Sequence, residues 1–306
     1  MASSPWSAGM RVLFGLMVIS WAANYLFVRV GLGYATPLWL AALRAGIGTL
    51  GMAAVLLFQK GPKKLDRRGR RDAILLGLPN TALFFALWFA AARTVPAGQA
   101  AVVIYTFPVW VALFSSPVLH RRLTRLHWVA VAFGFSGVVL VSQPWQASAG
   151  SEVLPALIEL TLAPISWAFA TTVFERRFRP EELVEVNVYQ LFGGAAALMA
   201  AALIVNPASL PPLAPTLWVS ALWLGLVGSA FAYAVWFWLL GRVEGANLSA
   251  YLLLVPVTAL GLSAIFEGER LGPVQGVGVA LVLLSVYAVA AVSRSRSISS
   301  EKAGAA

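Results

Sequence analysis

The sequence has no cysteine and only two histidines among its 306 residues. Without cysteine the chain can form no disulfide, thiolate nucleophile or cysteine-bound metal centre, and two histidines leave little for a metal cluster. Charged residues are also scarce, at 11% of the chain, where an average soluble domain has ~25%. We therefore expect no metal and no other cofactor, and each polar residue that remains must be considered individually.

Apolar side chains dominate the composition. They make up 60% of the residues, and the mean hydropathy is +0.81. A soluble globule of this length cannot bury so much apolar surface, whereas a bilayer can solvate it. The composition therefore predicts an all-α membrane protein and excludes soluble enzymes and nucleic-acid binders.

Apolar runs between polar breaks predict ten transmembrane helices, because each run is close to the ~20 residues that cross a bilayer. The predicted spans are residues 11–32, 37–58, 73–92, 97–119, 126–142, 153–174, 184–205, 217–240, 247–266 and 273–293. The Ser- and Arg-rich residues 294–306 are expected to form a disordered tail.

The basic residues predict the orientation of these spans. The chain has 22 Lys and Arg against 12 Asp and Glu, a formal charge of +10. Most of the basic residues fall in the segments 60–71, 120–125 and 175–179 and in the tail, which share one side of the membrane, whereas the loops 143–152 and 206–216 contain none. By the positive-inside rule, both termini should be cytoplasmic in a multi-pass protein of the cytoplasmic (inner) membrane.

The chain contains an internal duplication. At an offset of 148 residues Gly77, Trp88 and Pro108 match Gly225, Trp236 and Pro256, and at an offset of 146 the segment 19–22 recurs at 165–168. We therefore predict two five-helix repeats, residues 1–146 and 147–293. Because five is odd, the second repeat enters the membrane upside down, as in secondary transporters that work by alternating access.

Several of these residues resemble the ten-helix EamA-type transporters of the drug/metabolite transporter superfamily, which include bacterial aromatic amino-acid exporters. The likeness rests on Trp21, Asn24, Arg44, Pro108, Gly134, Gly137, Pro256 and the segment 268–271. The resemblance implies export of small metabolites, with aromatic or other apolar amino acids as the expected cargo. A proton-coupled exporter of drugs or organic cations is the alternative, since aromatic rings also suit cations. The oligomeric state stays open.

Three charged residues lie more than two residues inside a predicted span, where a charge costs about 2.5–3.5 kcal/mol and so suggests a function. Arg29, near the outer end of its span, could have a function or simply extend to the interface. Arg44 could hold a substrate carboxylate, pair internally or bind the carbonyls of a neighbouring helix. Glu159 could carry a proton, bind a substrate ammonium, pair with an arginine or lie in the wetted interface.

Polar and aromatic residues form stripes at helical spacing that match between the repeats. We predict that they line a central cavity, with packing between helices as the alternative. The candidate binding residues are Trp21, Asn24, Arg44, Thr81, Phe85, Trp88, Gln99, Glu159, Trp167, Ser229, Tyr233, Trp236, Asn247 and Tyr251. Pro108 and Pro256 remove a backbone donor at equivalent mid-span positions and are candidate hinges, or merely tolerated prolines.

The best candidate for an enzyme is the string Gly134-Phe135-Ser136-Gly137, which is similar to that of rhomboid proteases. Its serine would need a base on another helix. His127 precedes Ser136 by nine residues on the same predicted helix, about 13 Å along its axis. We therefore predict that the chain is not an enzyme, and a passive channel or a receptor remains the rival class.

Overall fold

The computed structural model describes residues 7–58, 65–119, 125–143, 145, 152–240, 242 and 252–304, and their side chains except those of 142, 240 and 289–304. Within these ranges the regular structure is helical, with no strand. The ten main helices are α1 (Ala8–Leu32), α2 (Pro37–Phe58), α3 (Arg67–Ala91), α4 (Ala97–Leu119), α5 (Arg125–Ser142), α6 (Val153–Arg177), α7 (Leu183–Val205), α8 (Pro215–Leu239), α9 (Leu254–Phe266) and α10 (Pro273–Gly304).

The chain is an all-helical membrane protein. Seven of these helices are long and apolar enough to cross a bilayer, namely α1 to α4 and α6 to α8. The apolar parts of α5, α9 and α10 are shorter. The ten helices follow the order of the ten predicted spans, and many large apolar side chains are exposed on them, as a lipid-facing surface requires.

Capping side chains and prolines determine where several of the helices begin. The Ser7 hydroxyl accepts a hydrogen bond from the backbone nitrogen of Met10 (3.2 Å), and the Asp66 carboxylate accepts one from that of Gly69 (2.6 Å). Both side chains satisfy an N–H that has no partner within its helix. The helices α2, α8 and α10 begin at prolines, whose fixed φ suits the first helical position.

Three of the helices are irregular in their middle part. A π-helical segment interrupts α3 at Leu78–Leu83 and α8 at Trp223–Phe231. The second segment includes the positions that match the first at an offset of 148. The helix α4 is broken at Tyr105 and Thr106, between Ala97–Ile104 and Phe107–Leu119.

Both candidate hinge prolines lie in the first turn of a helical segment. Pro108 is the second residue of the segment that follows the break in α4, and Pro256 is the third residue of α9. At these positions a missing N–H costs little, since the first-turn donors have no partner within the helix. That the two sites act as hinges remains a prediction.

Helices from the first half of the chain pack mainly against helices from the second half. The helix α1 contacts α8 and α9, and α6 contacts α3 and α4. The helices α2 and α7 pack together, α2 also packs on α8, and α7 also packs on α3. The helices α5 and α10 form a further pair. The large apolar core lies where these interdigitated helices meet.

Close helix contacts are made at glycines. A Cβ on Gly137 of α5 would lie 2.7 Å from the carbonyl oxygen of Gly278 on α10. Gly134 lies against Ser285, which is also on α10 and whose hydroxyl donates to the carbonyl of Ala130 on α5. Ser136, between the two glycines, is exposed on the outer face of α5. The glycines of this string therefore serve helix packing.

The end of the chain differs from the expectation of a disordered tail. Helix α10 continues to Gly304, so the backbone of residues 294–304 is helical. This segment contains Ala, Arg, Glu and Lys and no proline or glycine before Gly304, and these residues permit a helix to extend beyond its apolar part.

Candidate functional site

A cavity of about 520 Å³ lies between the two halves of the chain. Its walls come from α1, α3, α4, α6, α7 and α8. The lining residues are Trp21, Asn80, Tyr105, Phe107, Trp167, Thr171, Phe174, Glu175, Phe178, Pro180, Leu183, Asn187, Gln190, Tyr233, Trp236, Phe237 and Leu252. Four predicted binding residues are among them, namely Trp21, Trp167, Tyr233 and Trp236.

Aromatic rings form two groups in this lining. The ring of Trp21 lies 6.0 Å from that of Tyr233 and 5.9 Å from that of Trp236. In the other group, Trp167 stacks on Phe107 with centroids 4.0 Å apart and an interplanar angle of 22°. The break in α4 directly precedes Phe107 and thereby orients its ring toward α6. Such walls can stack on an apolar or aromatic solute.

Each group of rings is held by hydrogen bonds to a π-helical segment in the other half of the chain. A π-helix leaves backbone carbonyls free of their regular partners, and the side chains of a neighbouring helix can use them. The carbonyl of Gly228 in α8 accepts from the Trp21 indole nitrogen (3.2 Å) and the Asn24 amide (3.5 Å). The carbonyl of Pro79 in α3 accepts from the Ser166 hydroxyl (2.6 Å), one residue before Trp167.

Three side-chain amides line the cavity between the rings, and none of them was predicted from the sequence. Asn80 comes from the π-helical segment of α3, and Asn187 and Gln190 come from one face of α7. Both α7 amides are more than 90% buried, and the carbonyl oxygen of the Asn187 side chain has no hydrogen-bond partner among the residues that the structure describes. This oxygen is an unused acceptor that a bound solute with an N–H or O–H group could satisfy.

Contacts at glycines bring these amides into the cavity. A Cβ on Gly77 of α3 would lie 2.2 Å from the backbone carbonyl of Gln190, and one on Gly194 would lie 2.3 Å from the Thr81 Cβ. The helices α3 and α7 can therefore approach only because both positions lack a side chain. The pair Gly193-Gly194, close to Asn187 and Gln190, is the sequence signal that could have identified this face.

Arg44 and three other predicted binding residues, Phe85, Trp88 and Ser229, lie outside the cavity lining. The guanidinium of Arg44 is buried over the rings of Phe85, Trp88 and Phe89, and its Nε donates to the Ser229 hydroxyl (3.4 Å). Phe85, Trp88 and Ser229 are likewise buried. These residues form a filled compartment of their own.

The other predicted binding residues also lie away from the lining. Asn24 is buried against Gly228, and Thr81 is buried against Gly194. Gln99 lies in the first turn of α4, and Glu159 lies partly exposed on α6, without a hydrogen bond or ion pair among the described residues. Asn247 and Tyr251 fall outside the described residues.

A charged cluster connects α1, α4 and α9 at one end of the helix bundle. Arg29 pairs with Glu267 (Nε to Oε1, 2.8 Å) and donates to the carbonyls of Ala92 and Val95. Glu267 accepts from the backbone nitrogen of Ala97 at the N-terminus of α4 (3.1 Å).

Glu269 completes this cluster. Its carboxylate accepts from the backbone nitrogens of Gly98 (2.9 Å) and Gln99 (3.2 Å) and from the Ser263 hydroxyl. Gly268, with a φ of +68°, reverses the chain so that both carboxylates reach α4. Glu269 thus caps the positive end of a helix in the other half of the chain.

The lining extends to the start of α7 at Leu183 and to the connection between α6 and α7, where Phe178 and the exposed Pro180 contribute to it. None of the charged-cluster residues belongs to the lining. Among the lining residues Glu175 carries the one formal charge. The cavity can therefore hold a small organic solute between rings, with amides to accept or donate hydrogen bonds.

Sequence comparison shows two matches to one family. The profile of the EamA-like transporter family matches residues 10–143 and again residues 154–291. The chain is 29% identical over 288 residues to the uncharacterized inner membrane transporter YedA of Escherichia coli (strain K12), covering 90% of this chain and 89% of that protein. It is 28% identical over 285 residues to a probable amino-acid metabolite efflux pump of Salmonella typhimurium, covering 89% and 91%.

A solved crystal structure shares the fold. It superposes with a TM-score of 0.62 at 18% sequence identity and covers 94% of this chain and 99% of its own.

Proposed function

The chain belongs to the EamA-like transporter family, and from this premise we propose that it is a secondary transporter that exports small metabolites by alternating access. As substrates we propose amino acids with aromatic or apolar side chains. The relative from Salmonella typhimurium is named as a probable amino-acid metabolite efflux pump, which supports this class. The observation that carries the proposal is the ring-lined cavity between the two halves.

Alternating access requires two halves that can exchange conformations, and the packing supports an inverted repeat. If α1 to α5 correspond to α6 to α10, the contact of α1 with α8 maps onto that of α6 with α3. The contact of α1 with α9 maps likewise onto that of α6 with α4, and the pairs α2 with α7 and α5 with α10 map onto themselves. A twofold axis in the membrane plane would produce this set of contacts.

We assign the open end of the cavity to the cytoplasm. The segment 175–179, beside the open end, is rich in arginine, which favours the inner side. The charged cluster of Arg29, Glu267 and Glu269 would then close the outer side, and both termini would be cytoplasmic. In this arrangement the described conformation is the one that takes up cargo for export.

A second candidate substrate class is supported by the electrostatics of the lining. Glu175 is its one formally charged side chain, and aromatic rings attract cations through their faces. Export of organic cations coupled to proton entry would fit this lining. Glu159, which has no described ion-pair partner, is then the candidate proton carrier.

Counterflow into proteoliposomes loaded with unlabelled substrate tests the function and separates the two classes. We expect saturable counterflow of labelled phenylalanine, inhibited by tryptophan and insensitive to methyl viologen. Trp236→Ala removes a ring of the cavity wall and should raise the half-saturating concentration by about tenfold or more, as loss of a buried ring does at other binding sites. Trp128→Ala, the same change at a side chain that is 58% exposed, is the matched control.

The outcomes of this experiment are distinct. Counterflow of methyl viologen in place of phenylalanine would favour the organic-cation exporter. If a pH gradient drives that transport, Glu159→Gln should abolish the drive, and an undiminished response would exclude Glu159 as the proton carrier. Flux that is linear in concentration and indifferent to substrate on the other side would contradict a transporter and indicate a channel.

A further inference from the structure

Within the part of the chain that the structure describes, Arg44 is a buried cation without a counter-ion. The residue is 3% exposed, and its Nη1 has no hydrogen-bond partner there. Among the described residues no carboxylate lies within 4.0 Å of its guanidinium. An unpaired buried charge costs several kcal/mol, so a purely structural role is expensive.

Aromatic rings hold Arg44 in this position. Its guanidinium carbon lies 4.2 Å from the centroid of the Phe85 ring, 5.0 Å from that of Trp88 and 5.8 Å from that of Phe89. Cation–π contacts in a desolvated site stabilise the charge. They compensate only part of the cost of desolvation, and they leave the planar donor face of the guanidinium for a stronger partner.

These rings have counterparts that line the open cavity. At the offset of 148 that relates α3 to α8, Phe85 and Trp88 correspond to Tyr233 and Trp236, and Phe89 corresponds to Phe237. The compartment around Arg44 is thus the repeat-related copy of one wall of the cavity. One copy is open, and the other is filled.

Arg44 itself corresponds to Gln190. The offset of 146 relates the two residues, and the glycine one turn further along each helix supports the register. Gly48 meets Gly225 and Ser229 of α8, and Gly194 meets the equivalent Gly77 and Thr81 of α3. Each half therefore places one polar residue at the same point of its wall, an amide in one copy and a guanidinium in the other.

We propose that Arg44 is a state-dependent binding site for the carboxylate of the substrate. This inference rests on the proposed function, because it requires the two halves to exchange conformations. When they do, the compartment around Arg44 opens to the outer side and the compartment around Gln190 closes. The guanidinium then forms a bidentate pair with a carboxylate, which it cannot reach in the described conformation.

The exposure of Arg44 can be tested without knowing the substrate, because the chain has no cysteine. Phe85→Cys should react with a membrane-impermeant maleimide added outside intact cells, whereas its counterpart Tyr233→Cys should react faster in inverted vesicles. Trp88→Cys and Trp236→Cys form a second pair, in case one variant does not fold. Labelling of the Phe85 and Trp88 variants from neither side would overturn the proposal even if transport is intact.

The carboxylate preference is tested with labelled phenylalanine and with phenylalaninamide, which lacks the carboxylate. Losing a hydrogen-bonded charged partner costs about 1.5–3 kcal/mol, so Arg44→Gln should raise the half-saturating phenylalanine concentration on the outer side by about 10- to 150-fold. The half-saturating concentration of phenylalaninamide should change less than about threefold in Arg44→Gln. Arg44→Lys should restore part of the wild-type preference for phenylalanine over phenylalaninamide.

The result separates two failures. If wild-type protein shows no counterflow of phenylalanine, the proposed substrate is wrong, and maleimide labelling alone decides whether the Arg44 compartment opens. If the wild type transports phenylalanine but Arg44→Gln affects both probes equally, Arg44 has a structural role and the carboxylate site is refuted.

Discussion

The close approach of α3 and α7 gives a quantitative prediction about stability. The helices meet at Gly77 through backbone, not through a flexible side chain, since an added Cβ would lie 2.2 Å from the Gln190 carbonyl oxygen and 2.8 Å from the Gly194 nitrogen. Gly77→Ala must therefore separate the two helices by about 1 Å to reach an ordinary contact distance, and such overpacking costs ~1–3 kcal/mol.

This cost can be measured as a shift of the unfolding temperature. At ~2–4 °C per kcal/mol for a chain of this size, Gly77→Ala should lower Tm by roughly 2–12 °C in detergent. Gly46→Ala is the matched control, because nothing lies within 4 Å of a Cβ added there. It should leave Tm unchanged or raise it slightly, since alanine favours the helix.

The reasoning also predicts a functional effect. Separation of α3 from α7 moves Asn187 and Gln190 relative to the aromatic walls, so Gly77→Ala should reduce counterflow at temperatures where it remains folded. If Gly77→Ala and Gly46→Ala have the same Tm and the same transport rate, the tight contact between the helices is refuted.

Further predictions concern the charged cluster and the cavity wall. Glu269→Gln weakens the cap of α4 and should lower stability by about 0.5–2 kcal/mol in thermal unfolding, whereas Arg270→Gln, at an exposed side chain, should not. Trp167→Ala removes the ring that stacks on Phe107 and should raise the half-saturating concentration of phenylalanine by about tenfold or more. Trp145→Ala, at a residue that is 58% exposed, should leave it unchanged, and equal effects of the two would show that the stack does not bind substrate.

The sequence predicted the helical architecture well because a bilayer imposes simple rules. A span must be apolar over ~20 residues, and this pattern alone identifies the order of the ten helices. The sequence also predicted four of the aromatic residues that line the cavity, because helical periodicity and the internal duplication both select them. They are Trp21, Trp167, Tyr233 and Trp236.

The irregular backbone could not be predicted in the same way. The π-helical segments and the break at Tyr105 depend on which neighbouring helix supplies a partner for the freed carbonyls. Pro108 indicated an irregularity in α4 but not its position. Because these segments rotate the faces of α3 and α8, helical spacing alone did not separate the rings that line the cavity from those that hold Arg44.

The amides of α7 were missed for a related reason. The equivalent positions of α2 hold Ala41, which is apolar, and Arg44, which is not an amide. Matching the two repeats therefore did not select Asn187 and Gln190 as a pair. Arg44 was identified by its charge, but the sequence could not show that it lies in a filled compartment.

Reciprocal opening of the two ends of the bundle is the most direct test of the proposed mechanism. In the cysteine-free chain, spin labels at Arg93 and Arg270 report on the end that carries the charged cluster, and labels at Arg125 and Arg179 report on the opposite end. Pulsed electron spin resonance should show substrate lengthening the first distance and shortening the second. Two distances that lengthen together, or that stay unchanged at saturating substrate, would contradict exchange between inverted halves.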